Sequence, residues 1–400
     1  MISVTPTDPS ARNNLRVVEL GAGDTRRWDD FVIAHPDGMV YHHSKWIESL
    51  ENEHGQHCLR LACEDSEGRL RAILPLLVTK GLPIRAGRVS TSRRLSSLPR
   101  TPLAGPLALD PESLRLIVRH SLEMVRARRN VRLELKTEIE GLAELVPELV
   151  RVTWRPTFVE ELPPHVEGAC WEEFCENLRL PRNCGSCGEC RRLRFGNAKR
   201  QHRVNWAVNK AIKSGLEVRE ARTLRDLRKW YQLYLQTMRH NAIPPRSYDF
   251  FSTLWSKLHS GGQLRLFLAE QRTGSTARLV AGSITLSLGQ TVYYAFTGCS
   301  HYDFCLHPHD ILQIESIRSA CKNGFRWYDF GEVAEDHESL SQFKSKWGTE
   351  SRPLYRYYYP EPDKHTGSKT SLVTDWSRYI WRRLPLSITA LLGQAIYRYL

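Results

Sequence analysis

No run of apolar residues in this chain approaches the length of a membrane-spanning helix, which excludes a helical span. The opening residues, MISVTPTDPSARNN, hold no apolar core. No secretory signal is therefore expected, and the protein is expected in the cytoplasm with its ten cysteines mostly reduced. Acidic residues are missing from two long stretches. None falls between Arg69 and Asp110, where Arg69, Arg71, Lys80, Arg85, Arg88, Arg93, Arg94 and Arg100 accumulate. None falls between Arg191 and Glu217, a stretch holding Arg191, Arg192, Arg194, Lys199, Arg200, Arg203, Lys210 and Lys213. A surface without counter-ions is suited to anions, and the formal net charge of +13 points the same way. The partners implied carry phosphate: nucleic acid, a nucleotide-linked or lipid-linked substrate, or an anionic membrane face.

What is present is enough for two folded units. Four hundred residues with 41% hydrophobic content exceed the usual size of one domain and supply two cores. In the first half, Cys58–Cys63 and Leu70–Val78 read as strands joined by a turn at Asp65–Gly68. The 111–129 segment reads as a helix with Leu114, Ile117, Val118, Leu122 and Val125 on one face. The second half repeats the hairpin, with strands over Leu264–Glu270 and Leu279–Leu286, and adds a third strand over Thr291–Thr297. LRLACEDSEGRLRAILPLL and LRLFLAEQRTGSTARLVAGSITL place an apolar strand, an acid, a glycine turn and an Arg-Leu entry in the same order, roughly 200 residues apart, which reads as an internal duplication. A helix capped by Asp310 follows, lined by Ile311, Ile314, Ile317 and Cys321 and ended by Gly324. Then come the strand FRWYDFG, a short helix over Leu340–Trp347 with Leu340, Phe343 and Trp347 inward, and a last strand in RPLYRYYYP. The fold class expected is α/β, with mixed sheets flanked by helices.

The segment Trp327-Tyr328-Asp329-Phe330-Gly331, followed by Leu340-x-x-Phe343-Lys344-x-Lys346-Trp347-Gly348 and the tyrosine-rich strand Leu354–Tyr359, resembles the FemAB-related branch of the GNAT acyltransferase superfamily. The basic helix Arg203–Ser214, the Pro245-Arg246-Ser247-Tyr248 run, and Leu306-His307-Pro308 are similar to that branch too. The resemblance implies two tandem GNAT-like domains, each a mixed, mostly antiparallel sheet flanked by helices, with an active cleft between them. The organisation it suggests is a flexible start at 1–15, a first GNAT-like domain at 16–165, a cysteine-rich connector at 166–199, an acyltransferase domain at 200–362, and a linker with a basic amphipathic helix at 363–400.

The chemistry implied is amide-forming transfer of an acyl or aminoacyl group to an amine of a cell-envelope precursor, as in the Fem-type peptidoglycan aminoacyltransferases. Such a site must hold two reactants together and stabilise an oxyanion. The resemblance makes Lys344 the cation for that charge. Asp329 is carried over as catalytic, orienting the amine or accepting its proton, set against a carboxylate that caps the loop after its strand. Phe343, Lys346, Arg203, Lys210, Arg246 and Tyr248 are carried over as substrate-binding. No tightly bound organic cofactor is expected. The donor is an aminoacyl-tRNA or an acyl-CoA, and GCSHYDFCLHPHDIL lacks the glycine spacing with which ordinary GNAT enzymes hold the coenzyme A pyrophosphate, which weakens acetyl-CoA and favours an aminoacyl-tRNA-like or other large donor. An acyl-CoA-dependent N-acyltransferase acting on a sugar or lipid amine stays open. So does a basic nucleic-acid-binding protein on a degenerate GNAT scaffold.

That last reading draws on the cysteines. Cys184-x-x-Cys187-x-x-Cys190, with Cys175, offers four thiolates for a structural zinc, set against a redox-sensitive loop. Arg378, Arg382 and Arg383, mixed with Trp376, Tyr379, Trp381 and Leu384, suit either a peripheral contact with the inner face of a membrane or a packing helix. The oligomeric state is left open.

Overall fold

The computed structural model describes residues 14–81, 93–128, 130–162, 197–334, 337–361, 372–397 and 399, the side chains of 372–377 excepted. In the first half, β1 (Arg16–Glu19), α1 (Thr25–Ala34) and α2 (Ser44–His54) lead into the hairpin β2 (Leu59–Glu64) and β3 (Leu70–Thr79). β4 (Arg93–Ser96), β5 (Leu107–Ala108), α3 (Pro111–Arg126), β6 (Val131–Thr137), α4 (Leu142–Leu145), β7 (Val150–Thr153) and β8 (Thr157–Glu161) follow. The second half runs α5 (Ala198–Lys213), β9 (Leu216–Glu220), α6 (Leu224–His240), α7 (Tyr248–Leu258), β10 (Leu264–Thr273), β11 (Thr276–Leu288), β12 (Thr291–Cys299), α8 (Pro308–Lys322) and β13 (Trp327–Glu332). It ends with α9 (Glu338–Ser345), β14 (Glu350–Arg352), β15 (Tyr355–Tyr359), α10 (Leu372–Arg383) and α11 (Leu386–Tyr397).

Two sheets result, ordered β1-β2-β3-β4-β6-β15-β7 (with β5 on β3) and β14-β8-β13-β12-β11-β10-β9. Their plans correspond. In the first, β3 pairs antiparallel with β4, which pairs parallel with β6 across the α3 crossover. In the second, β11 pairs antiparallel with β12, which pairs parallel with β13 across α8. The duplication read from the hairpins thus extends over the whole strand–helix–strand unit. The α3 face was read correctly: Leu114, Ile117, Val118, Leu122 and Val125 are all buried. Its start is fixed by Asp110, whose side chain accepts the Ser113 N–H, with Pro111 in the first turn.

The halves also exchange strands. β15 lies between β6 and β7 of the first sheet, with Tyr355 opposite both Thr137 and Thr153. β8 lies between β13 and β14 of the second, with Asp329 opposite Val159. The two crossing links meet where the Trp154 N–H donates to the Leu354 carbonyl at 2.7 Å. One core is shared as well: Trp46 and Ile47 of α2 pack in the same cluster as Trp230 of α6 and Phe250 of α7. The Trp46 and Phe250 rings meet edge to face at 5.6 Å. The space between the sheets therefore has fixed walls.

Two expectations are corrected. Asp310 does not cap α8; the helix begins at Pro308, after His307 in the left-handed region at φ 56°. Asp310 sits in the first turn, and its carboxylate takes the Lys346 ammonium instead. On α9, Leu340 faces solvent at 41% exposure while Lys344 is turned inward at 6%. Trp347 is fully buried and Phe343 half-buried as read, so only Leu340 departs from the expected face; Lys344 is buried beside them because its ammonium finds backbone acceptors.

Candidate active site

A cavity of about 500 Å³ lies between the halves. The first half supplies Arg94, Ser96, Arg100, Glu134, Lys136 and Arg155, and the second supplies Arg246, Ala295, Thr297, Glu332, Arg356 and Tyr397, among others. Six basic residues face two acids, so the cavity attracts anions or polarised carbonyls.

Its two walls are equivalent parts of the two sheets. On one, β12 and β13 pair for three residues, Thr291–Tyr293 against Trp327–Asp329, and then part. Just beyond, the register of β12 on β11 slips: Ile284 faces Phe296 and Thr285 faces Tyr294, leaving Ala295 unopposed. Such a bulge re-aims backbone groups beside a site, and Ala295 lines the cavity.

Lys344 fills the gap between the parting strands. Its ammonium donates to the carbonyls of Gly331 at 2.9 Å and Glu332 at 3.2 Å. Burial pushes its pKa down to about 8, against the pull of Asp329 and Glu332. The Glu332 side chain takes the Trp154 indole N–H at 2.9 Å and reaches the cavity.

The opposite wall is built on β6, whose alternation sends Glu134 and Lys136 to one face and Leu133 and Leu135 to the core. Lys136 donates to the carbonyls of Leu98 at 2.8 Å and Thr101 at 3.3 Å. Burial pushes its pKa down to about 7. A neutral lysine has two N–H bonds and a lone pair. Two carbonyls satisfy the N–H bonds, so the lone pair stays available. Glu134 accepts from Arg356 at 2.8 Å and from the Ser96 hydroxyl at 3.4 Å. Burial alone would raise its pKa, but Lys136, Arg356 and Arg94 outweigh it and hold the carboxyl below the usual range. The Arg356 guanidinium lies 3.4 Å from the centre of the Trp154 ring, which fixes it at the strand crossing.

The residues carried over from the sequence scatter. Lys344 does not line the cavity; it reaches it only through Glu332, whose carbonyl its ammonium holds. Asp329 is half-buried and does not line the cavity; its Oδ1 accepts from the Thr157 hydroxyl at 2.6 Å and the Gly331 N–H at 2.7 Å. Burial raises its pKa. It holds the β13–β8 irregularity that presents Glu332, a positioning role. Phe343 is half-buried under the Lys346 ammonium, 4.3 Å from its ring centre. Lys346 itself is tied to Asp310.

Arg246 lines the cavity but is 2% exposed and paired with Glu53 of the first half. It also donates to the Arg100 carbonyl at 2.7 Å. Burial opposes its charge, and Glu53 outweighs that and raises its pKa. Tyr248 sits away from the cavity, its ring edge-on to Tyr231 at 5.4 Å and under Arg228. Arg203 and Lys210 are exposed on α5, with Lys210 over the Trp206 ring at 5.1 Å. Cys175, Cys184, Cys187 and Cys190 lie outside the described residues. Among the described residues no cluster of metal-binding side chains occurs.

Reading the sequence missed Lys136, Glu134, Arg356, Glu332 and the Ala295 bulge. The charged alternation of VRLELKT was the available signal.

A strand pair that opens beside a bulge, with basic side chains behind it, is an arrangement for holding a carbonyl while an amine attacks. Residues 198–344 match the family described as an acetyltransferase (GNAT) domain, a match that ends at Lys344. The chain thus carries a GNAT acetyltransferase domain over somewhat more than a third of its length, which supports an acyltransferase. Over most of its length it is similar in fold to FemX, with a TM-score of 0.60 at 16% identity, covering 86% of this chain and 97% of that one. It is also similar to the C-terminal domain (DUF2156) of a putative lysylphosphatidylglycerol synthetase from Agrobacterium fabrum, with a TM-score of 0.52 at 13% identity, covering 85% and 93%. A conserved protein of unknown function from Bacteroides thetaiotaomicron gives a TM-score of 0.51 at 8% identity, covering 86% and 99%. At such identities the likeness is one of fold. No curated protein sequence matches the chain.

Proposed function

We propose that the protein transfers an aminoacyl group from a tRNA ester to a primary amine of a cell-envelope precursor, within the cavity between its halves. The observation that carries this reading is the basic cavity between the halves, lined by buried Lys136 on one side and on the other by Glu332, whose backbone carbonyl takes the Lys344 ammonium. In the reaction the amine nitrogen attacks the ester carbonyl, the carbonyl oxygen takes up charge, and the C–O bond to the ribose breaks. Lys344, charged at neutral pH, and the unopposed backbone at Ala295 stabilise the oxyanion. Lys136, largely neutral above its pKa, takes the proton from the attacking amine and returns it to the departing ribose oxygen. The bond formed is an amide, and the deacylated tRNA leaves.

The donor assignment rests on α8. A helix N-terminus attracts a diphosphate through its free N–H groups. Here the Asp310 carboxylate lies in that first turn beside the Lys346 ammonium, and the Ile311 N–H bonds back to the His307 carbonyl. That ion pair fills the first turn, and the sequence before it lacks the glycine spacing of a pyrophosphate-binding loop. Beside it runs α5, whose Trp206 packs edge-on against His307 at 5.0 Å. Its exposed Lys199, Arg200, Arg203, Lys210 and Lys213 run without an acid among them, a track for a nucleic-acid backbone. Fem-type enzymes, which the motif resembles, and the lysylphosphatidylglycerol synthetase fold support an envelope-borne acceptor.

Binding of charged tRNA and of acetyl-CoA to the purified protein tests the donor. Charged tRNA is expected to bind with an affinity that falls steeply with salt, and Arg203→Glu with Lys210→Glu is expected to weaken it at least about tenfold. Saturable acetyl-CoA binding with no tRNA binding would transfer the reading to an acyl-CoA donor.

A further inference from the structure

The last two helices present an apolar stripe that the catalytic reading does not use. On α11, Ile388, Leu391, Leu392 and Ala395 are exposed, at i, i+3, i+4 and i+7 on one face. Leu391 is 67% exposed. The opposite face is buried through Thr389, Gly393 and Tyr397. α11 thus has one face that packs on the protein and one apolar face that meets water. α10 continues the surface with exposed Ile380, Arg378 and Arg383. It is fastened to the end of α6, where Arg382 donates to the His240 carbonyl at 2.9 Å and Arg239 to the Leu384 carbonyl at 3.2 Å. The His240 ring stacks on His301 at 3.9 Å, which brings Tyr302, 91% exposed, to the same rim.

The charge of the patch identifies its occupant. From Trp376 to Leu400 the sequence has no acid and four arginines, Arg378, Arg382, Arg383 and Arg398. A second copy across a two-fold axis would set these arginines against themselves. An anionic lipid surface meets both parts at once, apolar side chains entering the acyl boundary and arginines taking phosphate headgroups. No helix among the described residues is long and apolar enough to cross a membrane, so the contact would lie in the interface plane.

We infer that α10 and α11 dock the protein on an anionic membrane through Ile380, Ile388, Leu391 and Leu392, flanked by Arg378 and Arg383. The same helix that docks also walls the cavity. Tyr397 lines it and accepts the Arg100 guanidinium at 3.2 Å, and α11 is seated at Gly393, where a Cβ would meet the Pro245 carbonyl at 2.5 Å. The cavity then stands about one helix diameter, ~10 Å, from the lipid surface. This deepens the proposed function, on which it rests for its purpose: the acceptor amine is carried on a lipid-linked molecule at that surface.

Co-sedimentation of the full chain with vesicles of phosphatidylcholine alone, or mixed with phosphatidylglycerol, tests the docking without any acyl transfer. Binding to the mixed vesicles and little to the neutral ones is expected. Leu391→Ser with Leu392→Ser should weaken it about tenfold, with a melting curve showing that the fold persists, since Leu391 is 67% and Leu392 40% exposed. Arg378→Glu with Arg383→Glu should weaken it about as much and remove its salt dependence. Equal binding by these variants, absence of vesicle binding, or a dimer in solution that Leu391→Ser with Leu392→Ser dissociates would overturn the proposal. Vesicle binding that persists when no transferase activity is found would leave the docking standing and remove only its stated purpose.

Discussion

Lys344→Met is expected to slow amide formation about 10²–10³-fold, the usual cost of removing one preorganised oxyanion donor. Methionine keeps most of the volume and removes only the ammonium, so the fold should survive. The carbonyls of Gly331 and Glu332 lose their shared donor, which costs about 1–3 kcal/mol and is visible as a lowered melting temperature. The pH profile separates the chemical loss from this structural one. Lys344, with its pKa near 8, loses its charge as pH rises through that value, so the wild-type rate falls on the alkaline side. Lys136, with its pKa near 7, becomes a base as pH rises through 7, so the rate climbs on the acid side. The expected wild-type profile is a narrow bell between the two values. Lys136→Met should abolish the acid limb and lower the maximum about 10²–10⁴-fold. Lys344→Met should abolish the alkaline limb. A merely structural lysine would lower the whole curve without changing its shape.

Arg246→Ala is expected to destabilise the protein by about 3–5 kcal/mol in chemical denaturation, the range for breaking a buried pair by removing one partner. Glu53 would be left with its charge buried, and Trp46 and Phe250 would lose the guanidinium that lies between them. Because Glu53 belongs to α2 and Arg246 precedes α7, the loss falls on the contact between the halves. Glu53→Gln, which can still accept a hydrogen bond, should cost less. A loss below about 1 kcal/mol for Arg246→Ala would mean that the pair is solvated and that the halves are held by the shared apolar core alone.

The sequence carried the local structure well and the long-range pairing poorly, for physical reasons. The hairpins β2–β3 and β10–β11 and the helix α3 are set by turn residues and by apolar period, both local signals. Strand exchange has no local signal. The run Thr157–Glu161 states which faces β8 presents but not that its neighbours are β13 and β14, nearly the length of a domain away. The cavity was hidden for the same reason. Glu134 and Lys136 alternate with leucines as on any half-exposed strand, and only the second half, closing over them, turns a wet face into a lined site. Lys344 was legible from its motif alone; its inward turn follows from two backbone carbonyls that no residue pattern encodes. Arg246 was expected to bind substrate; its buried pairing with Glu53, 193 residues earlier, has no local signal.

The most direct test follows the group transferred. The purified protein is incubated with tRNA carrying a radiolabelled amino acid, and in parallel with labelled acetyl-CoA, each with an extract of lipid-linked envelope precursors. Label is then sought in a product stable to the mild base that cleaves tRNA esters. The account predicts base-stable label from the charged tRNA, absent with Lys344→Met and Lys136→Met. Transfer that survives both substitutions, or label that moves only from acetyl-CoA, would contradict it.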